Sequence, residues 1–320
     1  MDPAPFIRGC AFTGTAHVPY PRADPADARL PRDTWRTAQL PVGVRLELVG
    51  DADAVDLAYT TATDDLGYRG EGAGRTFALW RGGKLVDEEK ADLGDGRVRL
   101  ALGGWPGDEP AVVYLPEGMK PTVRSLSGVG GRLEPAPHQR RWIAYGDSVA
   151  EGWVASGPAL AWPAIAGRRH GLDVVNMGYA GSARGELASA EQIAKLDAHV
   201  ISITHGTNCW TMTPHSVDMM RAAVAAFIDV VRQGHPETPI VVVSPVVRPD
   251  AEQTPNRLGA TLVDLRQAME EAAGERDVTL IGGAGLIGPE NLADGIHPDD
   301  DGHHILADVV GGHVAKAVAS

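Results

Sequence analysis

The sequence predicts an α/β protein in two parts, a five-stranded parallel-sheet α/β/α domain preceded by an antiparallel, jelly-roll-like β-sandwich. Two observations carry this expectation. In the first part, apolar and polar residues alternate in short runs, the period of strands with one buried face. In the second, short and nearly continuous apolar runs take turns with helical segments, the pattern of parallel strands covered on both faces. Pro135 and Pro137 in GRLEPAPHQ stiffen the junction, so the expected division is 1–137 and 138–320.

The alternating runs are VRLELV (44–49), VDLAYTTAT (55–63), RTFALWRGGKLVDEEK (75–90), RVRLAL (97–102), AVVYLP (111–116) and TVRSLS (122–127). Gly82 and Gly83 split the third into two arms, and adjacent glycines supply the positive φ of a two-residue hairpin turn. No helical stretch of useful length is evident here, so the apolar faces are expected to pack sheet against sheet. Further on, WIAY (142–145), DVVN (173–176), HVISIT (199–204), TPIVVVS (238–244) and DVTLIG (277–282) read as five parallel strands. Helices are expected at 160–170, 186–197, 215–234, 255–274 and 302–318. An open sheet of this kind places its chemistry beyond the C-terminal ends of its strands.

The 320 residues carry 29 Lys+Arg against 42 Asp+Glu, a formal net charge of −13. That balance argues against nucleic acid as a partner, because a phosphate backbone demands the opposite sign. No apolar run approaches the roughly 18 residues of a spanning helix, and the start, MDPAPFIRGCAFTG, lacks the basic and apolar regions of a secretory signal. The expectation is a cytoplasmic protein with no membrane partner. Cys10 and Cys209 are far apart and outside any CxxC, so neither a disulfide framework nor a thiolate zinc site is implied. No cofactor or metal is expected. GGAGLIG satisfies GxGxxG at Gly283, Gly285 and Gly288, but runs into Pro289 rather than a helix. Asp299, Asp300 and Asp301, near His303 and His304, suit the first turn of the last helix, where carboxylates meet exposed N–H groups.

The first parallel strand runs into Gly146, Asp147 and Ser148, which sets a hydroxyl at the expected active edge, although Gly-Asp-Ser is also a common turn. The second ends in NMGYAGSARGE, where Gly178 and Gly181 either bring a backbone N–H to a ligand oxygen or simply shape a loop. After the third, the Asn208 amide can donate to a developing negative charge, as no carboxylate can, or cap a turn. Cys209 beside it reads as a small buried residue rather than a nucleophile. In LADGIHP, Asp294 and His297 are three residues apart, a spacing that lets the carboxylate hold one imidazole nitrogen while the other faces Ser148. The order Ser, Asp, His is that of α/β serine hydrolases, without the literal GxSxG elbow.

Taken in order across residues 142–318, YGDSVAEG, NMGYAG, GTN and DGIHP resemble the four blocks of the SGNH, or GDSL, hydrolase family of esterases and acyltransferases. The resemblance implies Ser148 as nucleophile and backbone oxyanion donor, Gly181 and Asn208 as further donors, and Asp294 and His297 as triad partners. Many members carry Asp after the Asn of the third block, where this chain has Cys209, an auxiliary position. The β-rich first part is similar in arrangement to that of family-two carbohydrate esterases and of some acyltransferase-like SGNH enzymes. The implied activity is that of a serine esterase working through an acyl-enzyme on a small-molecule ester. Short connections after the strands leave little chain for a lipid-covering lid, so a small acyl group such as acetyl, removed from a sugar or small alcohol, is expected. Transfer to an acceptor alcohol is the alternative, and a catalytically inactive carbohydrate-binding or scaffold protein is the alternative of a different class. Trp153 and Trp210 are candidates for pocket walls or for core, and Arg184 for an anionic substrate group or for solvent. The oligomeric state is left open.

Overall fold

The computed structural model describes residues 1–64, 74–104 and 109–319. Its first part contains β1 (Ile7–Arg8), β2 (Arg45–Gly50), β3 (Ala54–Thr61), β4 (Thr76–Arg81), β5 (Lys84–Lys90), β6 (Gly94–Ala101), β7 (Ala111–Tyr114), β8 (Pro121–Val129) and β9 (Leu133–Pro135). One sheet has the order β1-β2-β7-β4-β5 with β9 also on β2, the other β6-β3-β8, and every pair is antiparallel. Alternation turns Val55, Leu57 and Tyr59 of β3 toward Phe77 and Leu79 of β4, so the two sheets share one apolar core. The Tyr59 and Phe77 rings meet there at 4.9 Å. Gly82 and Gly83, with φ of 57° and 71°, make the β4–β5 turn, as the double glycine predicts.

One helix departs from expectation. Helix α1 (Arg32–Ala38) has seven residues, too short to show a 3.6-residue period, and such a helix is held by packing rather than propensity. Ala23, Leu30 and Ala38 belong to the same buried cluster as Tyr145, Ile203 and Phe227, so this early stretch of chain packs on the second part and not within the sandwich.

The second part is a parallel sheet of β10 (Arg140–Gly146), β11 (Leu172–Gly178), β12 (Val200–Thr204), β13 (Ile240–Val243) and β14 (Thr279–Ile281), in the order β11-β10-β12-β13-β14. Between and after these strands lie α2 (Ser148–Glu151), α3 (Trp162–His170), α4 (Leu187–Ile193), α5 (Val217–Gly234), α6 (Leu262–Gly274) and α7 (Asp300–Ala319). Strand residues alternate between two cores. Trp142 and Ala144 face α3 and α7, while Ile143 and Tyr145 face the side covered by α4, α5 and α6. Helix α6 starts later than expected because Asn256 closes a loop on Ala260, after which Thr261 and Asp264 form a capping box. Asp299 accepts the Gly302 N–H at 2.8 Å at the start of α7, the capping use the acidic cluster suggested. Among the described residues no helix is long and apolar enough to cross a membrane.

Where the two parts meet, buried Arg45 of β2 pairs with Glu47 at 2.7 Å and with Asp173 of β11 at 3.1 Å. Gly146 pairs with Gly178 on one side and with Thr204 on the other, so three strands end level. That register brings the three expected blocks to one edge of the sheet.

Candidate active site

Ser148 is the first residue of α2, and Asp147 is its N-cap, accepting the Val149 N–H at 3.0 Å. A Cβ on Gly146 would lie 2.3 Å from Thr204 Oγ1, so only glycine lets this strand end turn so close to β12. Burial pushes the Asp147 carboxyl up to about 6, against the hydrogen bonds it accepts from the Val149, Thr207 and Gly206 backbone.

His297 Nε2 lies 2.9 Å from Ser148 Oγ, and its Nδ1 lies 2.8 Å from Asp294 Oδ2. The other oxygen of Asp294 accepts the backbone N–H groups of Ile296 at 3.0 Å and His297 at 2.8 Å. Partial burial works to raise the Asp294 carboxyl, yet the hydrogen bonds from His297 and Ile296 prevail and hold it below the usual carboxylate range. An ionised Asp294 can only accept, so Nδ1 carries the proton and Nε2 is left to accept from the Ser148 hydroxyl. A hydroxyl, an imidazole acceptor and a carboxylate in line form a proton-transfer chain suited to activating a nucleophile.

The two other expected residues stand on neighbouring strand-end loops. Gly181 has a φ of 70°, and a Cβ there would meet open space. Its N–H meets no acceptor among the described residues. Asn208 is buried in the 3-10 turn after β12, where Nδ2 donates to Ala183 O at 3.0 Å, leaving one amide hydrogen for another partner. Cys209 is fully buried, and burial pushes its thiol up, which suits a packing residue. The Trp153 ring lies 5.7 Å from that of His297, whereas Trp210 donates to Thr254 O at 2.8 Å with the Arg248 guanidinium over its face. Arg184 does not await an anionic ligand or solvent: it makes a double contact with Asp33 of α1, at 2.7 and 3.1 Å. Asp300 holds the loop after α2 by accepting from Ser156 N at 2.9 Å and Ser156 Oγ at 2.5 Å. His303 is buried with Nδ1 against the Trp162 N–H. A cavity lined by Trp80, Tyr114 and Arg168 lies between the sandwich and α3 and includes none of Ser148, Asp294 and His297.

Residues 144–305 match the GDSL-like lipase/acylhydrolase family. The chain belongs to this family. Its members are serine hydrolases and acyltransferases, so the protein is an enzyme acting on ester bonds. No curated protein matches this GDSL sequence. Among solved structures, a protein described as a GDSL-like lipase from Bacteroides ovatus is 20% identical, with TM-score 0.79 over 98% of this chain and 95% of the other. The salicylyl-acyltransferase SsfX3 from a tetracycline biosynthetic pathway is 24% identical, with TM-score 0.80 over 98% and 94%. A family-two carbohydrate esterase from Clostridium thermocellum is 15% identical, with TM-score 0.63 over 86% and 92%. At these identities the likeness is one of fold, and it extends through the sandwich as well as the GDSL domain.

Two residues near Ser148 had no signal strong enough to be singled out. Glu151, three residues after Ser148 at the end of α2, and Arg22, far upstream, form a buried ion pair. Only the charge of Glu151 beside the apolar Val149, Ala150 and Trp153 hinted at a partner.

Proposed function

We propose that the enzyme is a serine esterase that cleaves small acyl groups, such as acetyl, from a sugar or small-molecule alcohol. The observation that carries the reading is the unbroken chain from Ser148 through His297 to Asp294, at 2.9 and 2.8 Å. Ser148 Oγ attacks the ester carbonyl as His297 Nε2 takes its proton, and Asp294 stabilises the imidazolium that forms. The oxyanion is received by the backbone N–H groups of Ser148 and Gly181 and by Asn208 Nδ2. Collapse expels the alkoxide, which leaves with the proton from Nε2, and an acyl-Ser148 ester remains. Water then attacks with His297 again as base, releasing the carboxylic acid and the free serine. The Trp153 ring, 5.7 Å from that of His297, is an apolar wall beside the base and supports a small acyl group.

Passage of the acyl group to an acceptor alcohol is the second reading. What favours it is the match to a salicylyl-acyltransferase along nearly the whole chain, sandwich included. Both readings share the acyl-enzyme. A serine-directed fluorophosphonate should label the folded protein at Ser148 and leave Ser148→Ala unlabelled; equal labelling of both, or none of the wild type, would reject the nucleophile. Product analysis with p-nitrophenyl acetate, with and without added sugars or alcohols, then separates hydrolysis from transfer.

A further inference from the structure

Arg22 and Glu151 are charged residues sealed behind the nucleophile, 1% and 0% exposed, and the triad uses neither. Arg22 Nη2 stands 3.3 Å from Glu151 Oε1. A pair removed from water loses its hydration, and well-packed apolar side chains often serve stability as well, so stability alone is a weak reason for one here.

The remaining bonds of the pair point to a different role. Arg22 Nε donates to Leu40 O at 2.7 Å and Nη2 to Thr37 O at 2.8 Å, which anchors the guanidinium in its own upstream segment. Nη1 donates to Gly178 O, while Glu151 Oε2 accepts the Ala180 N–H. The ion pair therefore grips the backbone of one short turn from both ends, by the carbonyl of Gly178 and the N–H of Ala180. Tyr179 between them is fixed as well, donating its N–H to Gly146 O at 2.8 Å and its hydroxyl to Arg22 O at 2.7 Å. Gly178 packs so tightly on α2 that a Cβ would lie 2.4 Å from Glu151 N. The residue that follows this clamped turn is Gly181.

We propose that Arg22 and Glu151 are positioning residues for the oxyanion hole, locking the 178–180 turn so that the Gly181 N–H is presented to the oxygen of an ester bound at Ser148. This rests on the acyl-enzyme reading above. It also makes the segment between β1 and β2 a working part of the hydrolase, because that segment brings the guanidinium. Hydrogen-bond donors aimed before the reaction begins are worth most when the scaffold cannot relax, and small misplacements of a reacting group cost rate steeply.

The test compares wild type, Arg22→Lys, Glu151→Gln and the double variant Arg22→Met/Glu151→Met, with circular dichroism and Tm to verify folding. The readouts are kcat and KM on p-nitrophenyl acetate, the rate of fluorophosphonate labelling, and the pH profile. The expected result is a fall in kcat on the order of tenfold to hundredfold and a parallel fall in labelling rate, since the phosphonyl oxygen uses the same donors. KM should stay within about twofold, and the shape of the pH profile should not change because His297 and Asp294 are untouched. Where a single variant fails to fold, the double variant carries the test, because it leaves no uncompensated buried charge. Folded variants with wild-type kcat, or a loss confined to KM, would overturn the proposal while wild-type labelling at Ser148 still stands. Failure of wild type to label would instead remove the acyl-enzyme reading beneath it.

Discussion

Replacing Asp294 with Asn keeps the size and shape of the side chain and changes what it can offer His297. In the native site one carboxylate oxygen accepts from His297 Nδ1 at 2.8 Å, and the other accepts two backbone N–H groups, at 3.0 and 2.8 Å. An amide has only one acceptor end. With its oxygen on the two backbone groups, its NH₂ faces Nδ1, which must then become the acceptor; the ring proton moves to Nε2, and the imidazole cannot take the proton of Ser148. Turning the amide round restores the useful tautomer but gives up two backbone hydrogen bonds, a cost of about 2 kcal/mol at about 1 kcal/mol each. The lost charge adds about 1 kcal/mol, kept small because the Asp294 side chain is 42% exposed and its pairing is screened. A total of about 3 kcal/mol corresponds to a fall in kcat on the order of 10²-fold. The assay is steady-state hydrolysis of p-nitrophenyl acetate near pH 8, with Tm measured in parallel. Asp294→Ala, which imposes no tautomer, should be no slower than Asp294→Asn. Activity of Asp294→Asn within threefold of wild type, in folded protein, would refute the reasoning.

Three further outcomes follow from the same structure. Asn208→Ala removes a side-chain donor and should lower kcat on the order of 10²-fold with little change in KM; comparable kcat values would exclude that role. Asp147, raised to about 6, favours the native state at acid pH and loses that contribution as pH climbs through 6, whereas buried His205, lowered to about 4, favours it at neutral pH and loses that contribution as pH falls toward 4. Each is worth about 3 kcal/mol and they oppose each other over the same window, so urea unfolding should show stability rising with pH in Asp147→Asn and falling in His205→Phe. Parallel profiles for both variants and wild type would contradict the assigned shifts. Val154, next to Trp153, has a φ of 59°, a left-handed conformation that costs a β-branched residue about 1–2 kcal/mol; Val154→Gly should therefore leave Tm unchanged or slightly raised despite its more flexible unfolded chain, and a large drop would show that the side chain itself packs.

The parts legible in the sequence are those whose cause is local. Alternation marked β2 to β8, and it is clearest in β3 and β6, where buried residues take turns with half-buried or exposed ones. Continuous apolar runs marked β10 to β13 because both faces are covered; β14, at the sheet edge, buries only Ile281. The spacing of Asp294 and His297 was readable because one turn of chain is enough to bring carboxylate to imidazole. Helix α1 was not readable, since seven residues hold no period and its stability comes from the sheet on which it packs. Arg184 was read wrongly as open to a ligand or solvent because its carboxylate, Asp33, is 151 positions away.

The sequence by itself determined the two-part architecture, the edge at which chemistry collects, and the residue types that collect there, because periodicity and turn chemistry act between near neighbours. Only the tertiary structure decided that Ser148 and His297, 149 positions apart, stand 2.9 Å from each other. It alone joined Arg22 to Glu151 and to the backbone of the 178–180 turn. The physical reason is that these contacts depend on the level ends of three parallel strands and on the docking of an upstream segment onto the sheet, and neither leaves a local trace in the chain.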